Sequence, residues 1–202
     1  LIVKDEQKGE KLPQDKQEIL STVFNGQLPK LNKTEFHVEV EPLGETAAPV
    51  IITQSEYMRR MKDMASIQPG MSFYGEMPDM FSMVLNSDHK LVKQVLDDAE
   101  SACAEKLVPV ESEIAMLKLR ETELHKAHEG KKDEEIPTTE KDELKDVEQK
   151  LTEQKQQKDA IVNEYAASNK IVHQLIDLAL LQNNMLKGEA LNNFVKRSVE
   201  LI

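Results

Sequence analysis

The apolar positions of this chain change period several times, and each change marks an element. Beyond a polar lead, Pro13 and Gln14 open a stretch in which Ile19, Leu20, Val23 and Phe24 recur at helical spacing, and Gly26 can close it with a left-handed cap. A short helix is predicted there. Over residues 35–41 the period is two: Phe36, Val38 and Val40 fall on one face and charge on the other, the mark of a half-buried strand. His37 lies on the polar side and reads as solvated. Pro42, Gly44 and Pro49 punctuate the loop before a second short strand, Val50, Ile51 and Ile52. Thr53 and Glu56 stand at capping-box spacing, so a helix is predicted from Thr53. It carries Tyr57, Met58, Met61, Met64 and Ile67 opposite Arg59, Arg60, Lys62 and Asp63, and stops before Pro69 and Gly70. A connection broken by Gly and Pro, holding Met71, Met77 and Met80, leads to a third strand over residues 81–85.

Asn86, Ser87 and Asp88 offer helix-start chemistry, and Leu91, Val92, Val95, Leu96 and Ala99 follow at helical spacing. The period then tightens to alternating threes and fours through Leu107, Val110, Ile114, Leu117, Glu121 and Leu124. A breaker with Gly130, Lys131, Lys132, Asp133 and Pro137 precedes a second arm, capped by Thr139, with Leu144, Val147, Leu151, Gln154, Lys158, Ile161 and Tyr165 at the same spacing. Two such arms predict an antiparallel helical hairpin projecting as an arm, with Pro109 kinking or restarting the first helix and Gln154 and Lys158 weakening the second seam.

The segment 171–186 is apolar around more than half its circumference: Ile171, Val172, Leu175, Ile176, Leu178, Ala179, Leu180 and Leu181. Lys187 and Gly188 break it, and Leu191, Phe194, Val195, Val199, Leu201 and Ile202 mark a last amphipathic helix. Leaving several of these side chains in water costs about 1.5 to 3 kcal/mol each, so they call for cover. Pairing of both helices with the same pair from a second chain, as a four-helix bundle in a homodimer, meets that need, and a helix sandwiched inside a single protomer is the alternative. Ile171, Val172, Leu175, Ile176, Leu178, Ala179, Leu180, Leu191, Phe194, Val195 and Val199 are the dimerisation candidates. The predicted fold class is α+β: a small three-stranded sheet with helices, a long helical-hairpin insertion and a C-terminal helix pair.

Composition narrows the classes of function. Charged residues are 31% of the 202 and aromatics 4%, with no Trp, which suits long solvated or paired helix faces rather than one large core. A formal net charge of -11 without a clustered basic face argues against nucleic acid. No apolar run approaches the roughly 20 residues that span a bilayer, and the first ten residues lack a basic-then-apolar leader. The chain therefore reads as cytoplasmic, without a membrane partner. The single Cys103 fits a reducing compartment. Opening at Leu1 on a polar stretch, the chain is expected to be cut from something longer.

Three stretches together resemble the C-terminal domain of the heat-shock protein 90 family in its bacterial form. Pro49-Val-Ile-Ile-Thr-Gln-Ser-Glu-Tyr-Met-Arg-Arg-Met-Lys-Asp-Met64 resembles the family's strand leading into an amphipathic helix. Leu85-Asn-Ser-Asp-His-Lys-Leu-Val-Lys93 is similar to its Asn-x-x-His-Pro-Leu-Val element, with Lys90 in place of Pro. Leu175-Ile-Asp-Leu-Ala-Leu-Leu181 and Asn193-Phe-Val-Lys-Arg197 look like its terminal dimerisation helices. The likeness covers roughly residues 35–99 and 169–202, and the hairpin lies outside it. The chain as a whole is expected to divide into four parts: residues 1–34 as the polar lead and short helix ending a preceding linker or domain, 35–108 as sheet and amphipathic helix, 109–168 as the heptad hairpin insertion, and 169–202 as dimerisation helices. The resemblance also implies an ATP-dependent chaperone whose ATP and Mg bind in a separate N-terminal domain, with partly folded client proteins as partners. Tyr57, Met58, Met61 and Met64 are the client-contact candidates, since flexible, polarisable Met suits varied apolar partners. The same spacing equally suits a core stripe.

No phosphate loop, dinucleotide turn, Cys/His cluster or Ser/His/Asp arrangement stands in the sequence, so no catalytic, cofactor or metal site is expected in this part. His125 and His128 stand three apart and could touch one ion, but the sequence suggests no third or fourth ligand beside them. A different class also fits the heptads: a structural coiled-coil protein that acts through the hairpin.

Overall fold

The computed structural model describes residues 9–65, 67, 77–130 and 136–200. The expectations on Pro69, Gly70, Met71, Lys131, Lys132, Asp133, Leu201 and Ile202 lie outside these residues. Among the described residues nine elements follow in order: α1 (Gln14–Asn25), β1 (Thr34–Glu41), β2 (Val50–Gln54), α2 (Glu56–Ala65), β3 (Asp79–Asn86), α3 (Lys90–His128), α4 (Thr138–Ser168), α5 (Lys170–Gln182) and α6 (Gly188–Glu200). The class is α+β, and the chain divides into two compact units, residues 1–99 with 166–202 and residues 100–165.

In the first unit β3 is the central strand, parallel to β1 and antiparallel to β2. The register aligns Val40, Leu85 and Val50 in one cross-strand row and Val38, Met83 and Ile52 in the next. Period-two alternation puts both rows on one face. Val40, Leu85, Val50, Met83 and Ile52 are buried there. Phe36 and Phe81, also register partners, extend the face with ring centroids 5.9 Å apart. Helix α1 packs on β1, α5 packs on β2, and the two helices touch each other. Ile19, Leu20, Val23 and Phe24 are the buried side of α1, as their spacing predicts, and Val92, Val95, Leu96 and Ala99 are buried at the start of α3.

The corner between β3 and α3 is the most polar part of this core. Asn86 is fully buried. Its Oδ1 accepts from the Leu43 and Asp88 N–H groups at 3.0 and 3.1 Å, and its Nδ2 donates to the Gly44 carbonyl at 2.9 Å. Asp88 Oδ2 accepts from the Gly44 N–H at 2.8 Å and the Gly9 N–H at 3.0 Å. These bonds spare the buried groups the desolvation cost of going unpaired, whereas Ser87 Oγ between them has no partner among the described residues. Instead of capping α3, as their residue types suggest, Asn86 and Asp88 fasten the 43–48 loop and the chain ahead of α1 to the end of the central strand. Residue 9 packs tightly here: a Cβ on it would stand 2.1 Å from Asp88 Oδ1, so a side chain at this position would displace that carboxylate. The start of α3 is served by His89, whose Nδ1 accepts from the Leu91 N–H at 3.2 Å. Burial, then the charge of Lys90, holds the His89 imidazole below its ordinary value of 6.5.

Two other boundaries differ from expectation. Thr53 belongs to β2 and not to a capping box; α2 begins at Glu56, with the Arg59 N–H on the Ser55 carbonyl at 3.0 Å. The β2–β3 ladder extends through Gln54 and claims the Thr53 backbone that a capping box would need. Pro109 neither ends nor restarts α3, which runs unbroken for 39 residues. Its ring removes one backbone donor, a cost that neighbouring packing offsets, since Leu107 and Val110 on either side are buried.

In the second unit the later part of α3 and α4 form an antiparallel pair. Val110, Ile114, Leu124, Val147 and Leu151 are its buried seam, flanked by Leu117, Leu144 and Ile161. Ion pairs cross the seam on its edges: Lys106–Glu164 at 2.8 Å, Glu111–Lys158 at 2.8 Å and Arg120–Glu143 at 2.7 Å. Lys158, a seam position by spacing, is satisfied by Glu111. Buried Gln154 Oε1 and Asn163 Oδ1 have no hydrogen-bond partner among the described residues. Burial pushes the Cys103 thiol up, which keeps it in the protonated, unreactive form.

Replacing Asn86 by Ala strands the Leu43 N–H and the Gly44 carbonyl in the core, and is expected to destabilise the first unit by about 2 to 4 kcal/mol in urea unfolding followed by circular dichroism. For His89 the folded state favours the neutral ring more than the unfolded chain does. Its contribution is therefore complete above pH 6.5 and is lost as pH falls below that value. An NMR titration should give His89 a midpoint below 6.5, and His89→Asn, whose side chain can still accept from Leu91, should lose less stability between pH 7 and 5.

Candidate interaction surfaces

Helix α2 is short and strongly two-sided. Tyr57, Met61 and Met64 recur at i, i+4 and i+7, which stacks them on one face. None of its described side chains is buried: Tyr57 is 67% exposed and Met64 43%, while Met58 and Met61 are half-buried. The other face is an ion-pair mesh. Arg59 binds Glu56 at 2.9 Å and Asp63 at 3.1 Å, and Arg60 binds Glu56 at 3.0 Å. The hydrogen bond from Arg59, then that from Arg60, holds the Glu56 carboxyl below its usual range. Lys62 reaches Asp79 at the start of β3 at 2.7 Å, a tie from the helix to the sheet.

The closing helices are held together differently from what their apolar content suggests. Asn169 caps α5 by accepting from the Ile171 and Val172 N–H groups at 2.9 and 3.0 Å. From that start Val172, Leu175, Ile176, Ala179 and Leu180 point into the sheet-side core and are buried within the chain itself. The cover that the sequence argument sought in a second chain is supplied at these five positions within the chain, where α5 touches α6, β2 and α1. Ile171, Leu191 and Phe194 are half-buried.

A polar ladder joins α5 to α6. Lys170 pairs with Glu200 at 2.7 Å, Gln174 Nε2 donates to Ser198 Oγ at 2.6 Å, and Arg197 donates through Nε to Gln174 Oε1 at 3.1 Å and through Nη2 to Asp177. Asp177 and Arg197 side chains are each only 19% exposed, so this pair works where solvent screens it little. The residues of this ladder were absent from the sequence expectations. A signal existed, since Lys170, Gln174 and Asp177 line one helical face, but their partners lie on another helix.

Beside that engaged face, α6 carries a narrow apolar stripe in the open, flanked by exposed Asn192 and Lys196. Val195 is 52% exposed and Val199 70%, with Leu191 one turn earlier in the same stripe, and Leu178 of α5 is exposed as well. No residue of α6 is buried.

The hairpin histidines part company. His128 faces Glu140, with 3.1 Å between Nε2 and Oε2, whereas His125 lies near Glu121 and, from the facing helix, Glu148. No described helix is long and apolar enough to cross a membrane.

No protein-family model and no solved structure matches the chain. Curated sequences do. The chaperone protein HtpG of Bacteroides fragilis strain YCH46 is 63% identical over 202 residues, and that of Bacteroides thetaiotaomicron 59% identical over 202. Both matches cover all of this chain and 30% of the relative. HtpG of Porphyromonas gingivalis strain W83 is 43% identical over 208 residues, with the same coverage. The chain thus spans about a third of the length of the relatives it matches. Over its whole length, hairpin included, the chain is similar to these bacterial HtpG chaperones, matching their C-terminal region.

Proposed function

We propose that this chain is the dimerising and client-contacting part of an ATP-dependent chaperone that assists protein folding. The observation that carries the reading is the open apolar stripe on α6 in a chain 63% identical to HtpG over its full length. Because α5 spends its buried side chains on its own sheet, the surface that meets a second copy is narrower than the full list of apolar positions. It consists of Leu178, Leu191, Val195 and Val199. Two α5–α6 pairs brought together about a two-fold axis form a four-helix bundle, in which each stripe covers the other. Such a joint holds two copies of any attached ATPase domain at high effective concentration, so that they meet without diffusing together. ATP and Mg belong to that separate domain in this reading, and this part does no chemistry of its own.

Sedimentation of the 202-residue chain tests the joint. A dimer at micromolar concentration is expected, and Val195→Asp with Val199→Asp should weaken it at least about tenfold, since each buries an unpaired charge in the interface. A wild-type monomer at that concentration would overturn the proposal.

For client contact, the supporting observation is that Tyr57 and Met64 stand open on a helix with no buried residue, which leaves them free to adapt to different apolar segments. Tyr57→Ser, Met61→Ser and Met64→Ser together should keep folding and self-association while lowering suppression of a heat-unfolded protein's aggregation at least about twofold. Unchanged suppression, read by light scattering, would remove α2 from the client surface.

A further inference from the structure

We propose that Glu121, His125 and Glu148 form a binding site for a divalent transition-metal ion, Zn2+ in chemical class, that clips the hairpin together. Glu121 and His125 stand one turn apart on the same face of α3, and Glu148 comes from α4 across the seam. One ligand atom from each lies within 4.8 Å of the other two. Around a tetrahedral ion with bonds near 2.1 Å, ligand atoms stand about 3.4 Å apart, a change that rotation of long, solvent-facing side chains supplies. The set is one imidazole nitrogen and two carboxylate oxygens, with room for water at a fourth position.

The surroundings favour a cation at this place. Glu121 occupies a seam position between Leu117 and Leu124, where the heptad pattern otherwise puts an apolar side chain, and it is half-buried there. A second carboxylate, Glu148, is brought up to it from the facing helix. Two carboxylates this close repel each other unless positive charge stands between them. Arg120, next to Glu121 in the chain, is committed to Glu143 and Glu123, while Lys118 and Lys145 stand one turn from Glu121 and Glu148. The imidazole sets the class of ion, because a nitrogen donor suits Zn2+, Co2+ or Ni2+ and adds little for Ca2+ or Mg2+. An ion bound here touches both helices, so it binds the closed hairpin and not the opened one, and stabilises the pair in proportion to its concentration.

Calorimetric titration of the chelator-treated 202-residue chain with Zn2+ tests the site. The expected result is one ion per chain, with affinity lowered at least tenfold in His125→Ala and in Glu148→Gln, and unchanged in His37→Ala, a histidine exposed on β1. Circular dichroism should show full helix content in every variant, since His125 and Glu148 project into solvent. Co2+ used as a probe should give a visible absorption band that His125→Ala abolishes. Absence of stoichiometric Zn2+ binding, or binding that survives His125→Ala or Glu148→Gln, overturns the proposal.

Discussion

A three-stranded sheet has a single wide face on which to build a core, and the larger unit is organised by the covering of that face. The rows Val40–Leu85–Val50 and Val38–Met83–Ile52 must leave water together, since they share the central strand. No local segment is large enough to cover them, so α1 and α5, about 150 residues apart in the chain, meet over the sheet. At roughly 25 cal/mol for each Å² of apolar surface withdrawn, this shared burial outweighs any one ion pair on the surface. The placement of α5 in turn fixes α6, because the Arg197, Gln174 and Asp177 contacts leave α6 one way to lie. The open Val195–Val199 stripe is the remainder after the sheet and the polar ladder have each taken a side.

What the sequence made legible follows from how local each signal is. Period two over β1 and the i, i+3, i+4 spacing of α1 and the hairpin seam depend on near neighbours, and the structure carries the residues they name. The start of α2 was misplaced because Thr53 satisfies two local rules at once, and pairing with Ser82 on a strand about thirty residues away decides between them. Asn86 and Asp88 were misread for a similar reason. Their side chains look like helix caps in a window of four, and their partners Leu43, Gly44 and Gly9 lie 43 to 79 residues off.

The apolar girth of α5 shows the limit most clearly. Sequence reports that the helix needs cover on several sides and is silent on whether that cover belongs to the same molecule. The structure divides the question: five positions are buried inside the chain, and Leu178 stays exposed. The grouping of His125 with Glu121 and Glu148 was equally out of reach, since it exists only once two antiparallel helices set their register.

Gly9 gives the strand-to-helix corner a mechanical character. Its amide is hydrogen-bonded to Asp88, and the missing side chain lets the backbone lie against that carboxylate. A pull arriving along the chain ahead of Pro13 therefore loads Asp88 first, and through Gly44 and Asn86 the end of the central strand, before it strains α1. The corner acts as a tether point where tension from upstream enters the sheet at its central strand.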